Sequence, residues 1–311
     1  MISHELPRVS FRVQHSVIEK RLLNDKVRKI FTCLVFPIAL FEYALKKALL
    51  PGRTSFSAAV LDSHRAYNLS RMTNATRTTV ETIDKVKLDT VQIKHPTSQK
   101  WIIFLNPNNG VYENSLPYLY ALSQQTGQNV YSGNYRGVGR SEGDITTIRD
   151  LLLDGESFIQ DLLSKGVQPP EITLHGHSMG GGVATELAAL YPGLNLVADR
   201  TYSSISDAIT TLVTPQAGRC IASTAAKITT LLGWNLNPLA AFPKISGRKT
   251  TIHHKLCFLQ PCGLYALLKK GGIRPPHYIK MRDEVHGDEI EAHCKDLMGP
   301  SLAAYVRFVN P

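Results

Sequence analysis

No aspartate or glutamate occurs between Asp207 and Asp283, so the 75 residues Ala208–Arg282 carry eleven lysines and arginines with no carboxylate among them. The net charge of +10 is therefore segmental: +6 over 1–53, −3 over 54–207, +11 over 208–282 and −4 over 283–311. A stretch of one sign favours an anionic partner. Nucleic acid fits poorly, because zinc-ligand spacing, a recognition-helix pattern and an aromatic-basic RNA motif are all missing. An anionic membrane surface fits better. Cysteine is scarce too. Cys33, Cys220, Cys257, Cys262 and Cys294 are odd in number and contain no C-x-x-C pair, which argues against a disulfide framework or a structural zinc site and for free thiols in a reducing compartment. Long apolar runs are lacking as well. Ile30–Phe41 spans only twelve residues and contains Pro37, too short to cross a bilayer. The charged residues before it do not make a secretory leader, so a cytoplasmic or membrane-peripheral protein is expected. With 43% hydrophobic and 19% charged residues, the chain has the composition of a packed core rather than of disorder.

What is present reads as a basic N-terminal helical extension, 1–53, followed by one α/β domain, 54–311. Ile38, Phe41, Leu45, Ala48 and Leu49 recur at helical spacing with Glu42 and Lys46 one turn apart, and Pro51-Gly52 closes the element. Such a helix either packs its apolar stripe on the domain or lies in a membrane surface. Residues 54–82, rich in Ser, Thr, Asn and Arg, read as a linker or an irregular entry to the domain. Val86, Leu88, Val91 and Ile93 suggest an opening strand pair, and Trp101–Leu105 is a buried-type strand. Helix Glu113–Thr126, strand Asn129–Ser132, helix Ile148–Leu163, strand Ile172–Leu174, helix Met179–Leu190 and strand Leu194–Asp199 follow in alternation. Thr250–His254 and His277–Met281 are the expected last strands and Lys295–Val309 the closing helix. The alternation predicts a three-layer α/β/α sandwich around a mostly parallel sheet, with a helical lid inserted at 208–248.

The chemistry-bearing motif is Gly176-His177-Ser178-Met179-Gly180, a G-x-S-x-G set between a strand and a helix. A nucleophile elbow needs this order: the serine stands on a turn too sharp for side chains at the flanking glycines, and the following helix aims N–H groups at developing negative charge. Acyl transfer also needs a second oxyanion donor from the loop after the third strand. Asn106-Pro107-Asn108-Asn109-Gly110 occupies that place, so the main-chain N–H groups of Asn108 and Met179 are the expected donors. His175 and His177 read as packing residues, Arg136 and Arg140 as braces of the loop after the fourth strand, and His253-His254 as too isolated to hold a metal. Gly137, Gly139 and Gly143 lack the helix start of a nucleotide-binding loop. No cofactor and no metal are expected.

Asn134–Gly143 (Asn-Tyr-Arg-Gly-Val-Gly-Arg-Ser-Glu-Gly), Gly176–Gly181 and Asp199–Ser204 together resemble the α/β-hydrolase superfamily of serine hydrolases. Within it they are similar to the CHLPS-type proteins of chlamydiae and other intracellular bacteria. The resemblance covers about 101–207; Asn106-Pro107 departs from its usual His-Gly lead-in. It implies an eight-stranded sheet and a Ser–His–acid triad whose acid follows the seventh strand, and it raises export into a host cell as an expectation. In this fold the triad runs Ser, acid, His along the chain. With His277–Met281 as the last strand, His293 falls before the closing helix and is the expected base. Taking that strand as the seventh would make Asp283 the acid but leave 28 residues for a strand, a histidine loop and a helix. In the first register the usual acid position holds no carboxylate. Asp199, at the end of the sixth strand, is the first alternative, Asp283 the second, and a Ser178–His293 dyad the third. The expected reaction is hydrolysis of an ester or thioester through an acyl-enzyme on Ser178; a degenerate hydrolase fold serving as a membrane- or protein-binding module is the competing reading.

Overall fold

The computed structural model describes Tyr43, residues 56–253, 263, 264, 267, 277–280 and 300–311, with backbone alone at 277–280 and 300–302. The chain divides into two units, 1–45 and 46–311, and the account below concerns the second. The N-terminal helix expected over Ile38–Leu49 lies, Tyr43 apart, outside the described residues.

Eight strands form one sheet in the order β1-β2-β4-β3-β5-β6-β7-β8. They are β1 (Ala75–Glu81), β2 (Lys87–Ile93), β3 (Trp101–Leu105), β4 (Asn129–Gly133), β5 (Ile172–His177), β6 (Asn195–Asp199), β7 (Lys249–His253) and β8 (His277–Lys280). β2 runs antiparallel to both β1 and β4, and every other pairing is parallel. Helices must therefore cross over between the parallel strands, which is why β3, β4 and β6 are buried along their whole length.

Strand alternation decides which residues face which helices. Ile102, Phe104, Val130, Val197 and Ile252 share one core with α2 (Tyr112–Thr126) and α7 (Pro300–Val309), through Leu116, Leu119, Leu122, Tyr305 and Phe308. On the other face, Tyr131 packs on Phe158 of α3 (Ile148–Ser164), ring centroids 5.2 Å apart. There Gly155 lets α3 approach α4 (Met179–Leu190) so closely that a β-carbon would stand 2.8 Å from Leu187 Cδ1. The result is the expected three-layer sandwich. Between β6 and β7 lies a helical insertion, α5 (Ile205–Leu231) and α6 (Pro238–Ala241), in the span read as a lid. α5 breaks at Gly218 (φ 80°, ψ 161°) and leaves Leu212, Ile221 and Leu231 exposed.

One expectation is corrected. Residues 54–82 are not a linker: they hold α1 (Ala58–Leu69) and the edge strand β1. β1 has no fully buried position, and α1 buries only Leu61 and Arg65, so neither shows an apolar period. Besides the β1–β2 ladder and the burial of Leu61, an ionic cluster anchors them. The Arg65 guanidinium donates to Asp89 Oδ2 at 3.0 Å, Glu113 Oε1 at 3.1 Å and the Tyr112 hydroxyl at 3.2 Å, and also contacts Asp62. Arg77 Nε reaches Asp89 Oδ1 at 2.7 Å, and Asn134 Nδ2 donates to Glu113. Burial pushes the Glu113 carboxyl above its ordinary value against that hydrogen bond and the Arg65 charge. The expected bracing by arginine is present: Arg136 donates to Asp154 and forks onto Asp84, while Arg140 Nε donates to Asp62 at 3.0 Å.

Removing one partner from such a buried cluster leaves the remaining charges uncompensated. Arg65→Ala is expected to lower stability by about 3–5 kcal/mol in urea unfolding at neutral pH, whereas a surface arginine such as Arg71 should matter little. The Asp62 carboxyl is held at about 2, by the Arg140 hydrogen bond first, against partial burial, with Arg65 adding to the effect. Its folded pKa lies below the unfolded value, so its contribution is present above about pH 4 and disappears as the pH falls towards 2. Asp62→Asn should remove that part of the acid dependence, a small effect because the group is partly exposed.

Candidate active site

Ser178 joins β5 to α4 with φ 51° and ψ −111°, a region that costs a non-glycine residue of order 1–3 kcal/mol. The surroundings hold it there. Its N–H donates to the Asp199 carbonyl on the neighbouring strand at 2.8 Å, and its own carbonyl accepts from Gly181 and Gly182 at 3.1 and 3.3 Å. The flanking glycines are demanded by space. A β-carbon on Gly176 would lie 2.1 Å from the Gly180 oxygen, and one on Gly180 would lie 2.1 Å from the Leu105 oxygen. The G-x-S-x-G spacing thus reflects three main-chain segments packed without room for side chains.

The Gly180 contact also places the second expected element. Leu105 ends β3, which pairs with β5 so that Leu105 stands opposite Gly176. The loop Asn106–Gly110 therefore leaves the sheet beside the elbow. Asn106 is buried, donating from Nδ2 to the Gly133 carbonyl at 2.9 Å and accepting the Tyr135 hydroxyl on its own carbonyl at 3.3 Å. The turn closes through Gly110 N–H to the Pro107 carbonyl at 3.0 Å. Asn108 lies half-buried in this turn, and Met179 takes the first helical position, where an N–H has no acceptor within the helix.

Asp199 also lies at the elbow, but beneath it. It is opposite His177 on β5 and Ile252 on β7, so alternation turns its side chain to the face covered by α2 and α7. There its carboxylate, fully buried, has His177 Nδ1 at 3.3 Å, His175 Nε2 at 3.6 Å and Arg200 Nε at 3.3 Å. Burial alone would raise this carboxyl, yet Arg200, His177 and His175 hold it well below the usual range. Burial lowers the His177 imidazole below its ordinary value, against the attraction of Asp199. His175 Nδ1 lies 3.0 Å from the Tyr305 hydroxyl, and its ring meets Phe104 edge-on. Arg200, like Ser178, has a left-handed backbone (φ 46°); its N–H donates to the Ile252 carbonyl at 2.8 Å. Packing was the expected role for His175 and His177. Their common carboxylate was the missed feature, and its signal was the i,i+2 histidine pair one strand from an acid.

His293 and Asp283 lie outside the described residues. Among the described residues no cluster of His, Cys, Asp or Glu is arranged to hold a metal ion.

Residues 105–230 match the family described as serine aminopeptidase, S33, a range enclosing Asn108, Ser178, Met179 and Asp199. The protein bem46 of Schizosaccharomyces pombe is 30% identical over 151 residues, 47% of this chain and 50% of that protein; the match thus spans half the length of that relative. Among solved structures, an alpha-beta hydrolase from Vibrio vulnificus superposes with a TM-score of 0.62 at 21% identity, over 80% of this chain and 85% of that one. An esterase from Pyrococcus furiosus gives 0.53 at 20% identity, over 76% and 90%. Strand order, elbow and structural likeness agree, and the chain has the fold of the α/β-hydrolases.

Proposed function

We propose that the protein is a serine hydrolase that cleaves an ester or thioester. The observation that carries this reading is the Ser178 backbone, held in a costly conformation by the Asp199 carbonyl, the Gly181 and Gly182 N–H groups and the close packing at Gly176 and Gly180. Strain of that kind is maintained where the serine hydroxyl must be presented. Ser178 Oγ attacks the acyl carbonyl, forming a tetrahedral intermediate whose oxyanion takes hydrogen bonds from Asn108 and Met179 N–H. His293 accepts the serine proton and returns it to the leaving alcohol or thiol; water then releases the acid by the same route. Asp283 supplies the third member, or the acid is absent and Ser178 and His293 act as a dyad. The structural likeness to the Pyrococcus furiosus esterase supports the ester class. The matched family's description as an aminopeptidase makes an amide the comparison substrate.

Acyl lipids or acylated proteins are the proposed substrates. α5 exposes Leu212, Ile221 and Leu231, and Arg219 and Lys227 are its only charged residues after Asp207; apolar and cationic groups together favour an anionic interface. No helix among the described residues is long and apolar enough to cross a membrane, which leaves peripheral attachment as the proposed mode. The narrower resemblance to CHLPS-type proteins and export into a host cell belong to the same proposal. A binding module on a degenerate fold is the second reading, favoured by one observation: β7 and the residues after it as far as Arg282, where the resemblance puts the acid, contain no Asp or Glu.

A fluorophosphonate probe should label the wild-type protein and fail to label Ser178→Ala. His293→Ala should slow labelling by about 10⁶-fold, the scale of losing the base of a triad; normal labelling of that variant would displace His293 as the base. Folded wild-type protein that does not label would favour the binding module. The chain should sediment with vesicles containing anionic phospholipid, less so at high salt, and not with neutral ones. Salt-dependent binding to oligonucleotides without vesicle binding would reverse the partner assignment.

A further inference from the structure

Among the described residues, the two left-handed non-glycine residues at the C-terminal end of the central sheet, Ser178 and Arg200, are linked by Asp199. Its carbonyl accepts the Ser178 N–H. Its carboxylate faces the ring of His177, the residue before Ser178, and the guanidinium of Arg200, the residue after Asp199 itself. We propose that Asp199 is a positioning residue for the nucleophile, clamping the elbow through His177 and Arg200. The inference rests on Ser178 as the nucleophile.

Three observations carry it. First, direction: Asp199, His177 and Ile252 are in register on parallel strands, and Ile252 belongs to the core under α2 and α7. The carboxylate therefore points into that core, while Ser178 stands above the strand ends. Second, chemistry: a fully buried carboxylate needs cationic or N–H partners, and it meets His177, His175 and Arg200 within 3.3–3.6 Å. Third, continuity: His175 reaches onward to Tyr305 of α7, so the clamp is tied to the closing helix. His177 is about one-fifth exposed, so its ring connects the buried carboxylate to the surface beside the serine.

A clamp and a triad acid respond differently to substitution. An asparagine keeps an oxygen for His177 and Arg200, so Asp199→Asn should retain fluorophosphonate labelling within about tenfold of wild type with an unchanged pH profile. Asp199→Ala removes both contacts and should slow labelling about 10²-fold, the scale of a misplacement near 1 Å. His177→Ala should slow labelling similarly, and His177→Gln should recover most of the loss. A fall of about 10⁴ in Asp199→Asn, the scale of a lost orienting carboxylate, with a displaced pH profile, would overturn the proposal and make Asp199 the acid. Hydrogen exchange gives a reading independent of activity. The Ser178 amide should exchange at least tenfold faster in Asp199→Ala than in wild type, relative to the Leu174 amide in the same strand. Unchanged relative exchange would overturn the clamp even in a protein that does not label, whereas unlabelled wild type with the predicted exchange would overturn only the hydrolase reading.

Discussion

The hydrogen bond from Ser178 N–H to the Asp199 carbonyl fixes a backbone turn that neither flanking element would adopt alone. β5 arrives extended, α4 departs helical, and the residue between them must take a positive φ. That turn can be this tight only because Leu105, Gly176 and Gly180 bring their main chains together where any β-carbon would collide. The same contact sets the loop after β3 against the elbow. Ser178 and the Asn106–Gly110 loop are thus placed by one packing event at the ends of three adjacent parallel strands.

Polar groups beneath the elbow make this arrangement durable. A core of aromatic and aliphatic residues from α2 and α7 would ordinarily exclude a carboxylate. Here Asp199 is admitted with two histidines and an arginine, and Tyr305 completes the row. Such a row constrains ring orientations and strand register more narrowly than apolar contacts do, because each group has directional demands. A second buried cluster, around Arg65, performs the corresponding task on the same face nearer the β1 edge by attaching α1 to β2 and α2.

The central α/β alternation was legible from periodicity because crossover helices bury β3, β4, β5 and β6 almost wholly. Trp101–Leu105 and Met179–Leu190 were read with the bounds observed. Residues 54–82 read as a linker or irregular entry, yet hold α1 and β1, because side-chain attachment through Arg65, Arg77 and Asp89 leaves no hydrophobic period. At the site, Ser178 and the Asn106–Gly110 loop were legible because main-chain crowding imposes glycine and short loops at fixed spacing. The grouping of His175, His177 and Asp199 was not, since it depends on parallel register between β5 and β6, which periodicity within one strand does not encode. The long acid-free segment explains why the triad acid is the least legible part: the position expected after β7 offers no carboxylate.

The central claim is that Ser178 carries the acyl group. The most direct measurement is rapid mixing of the full chain with p-nitrophenyl butyrate, acid quenching, and peptide mass mapping of the trapped protein. The account predicts a burst of p-nitrophenolate close to one equivalent per folded chain, with the butyryl mass on the peptide containing Ser178. Turnover without any adduct on that peptide, or an adduct confined to another residue, would contradict it.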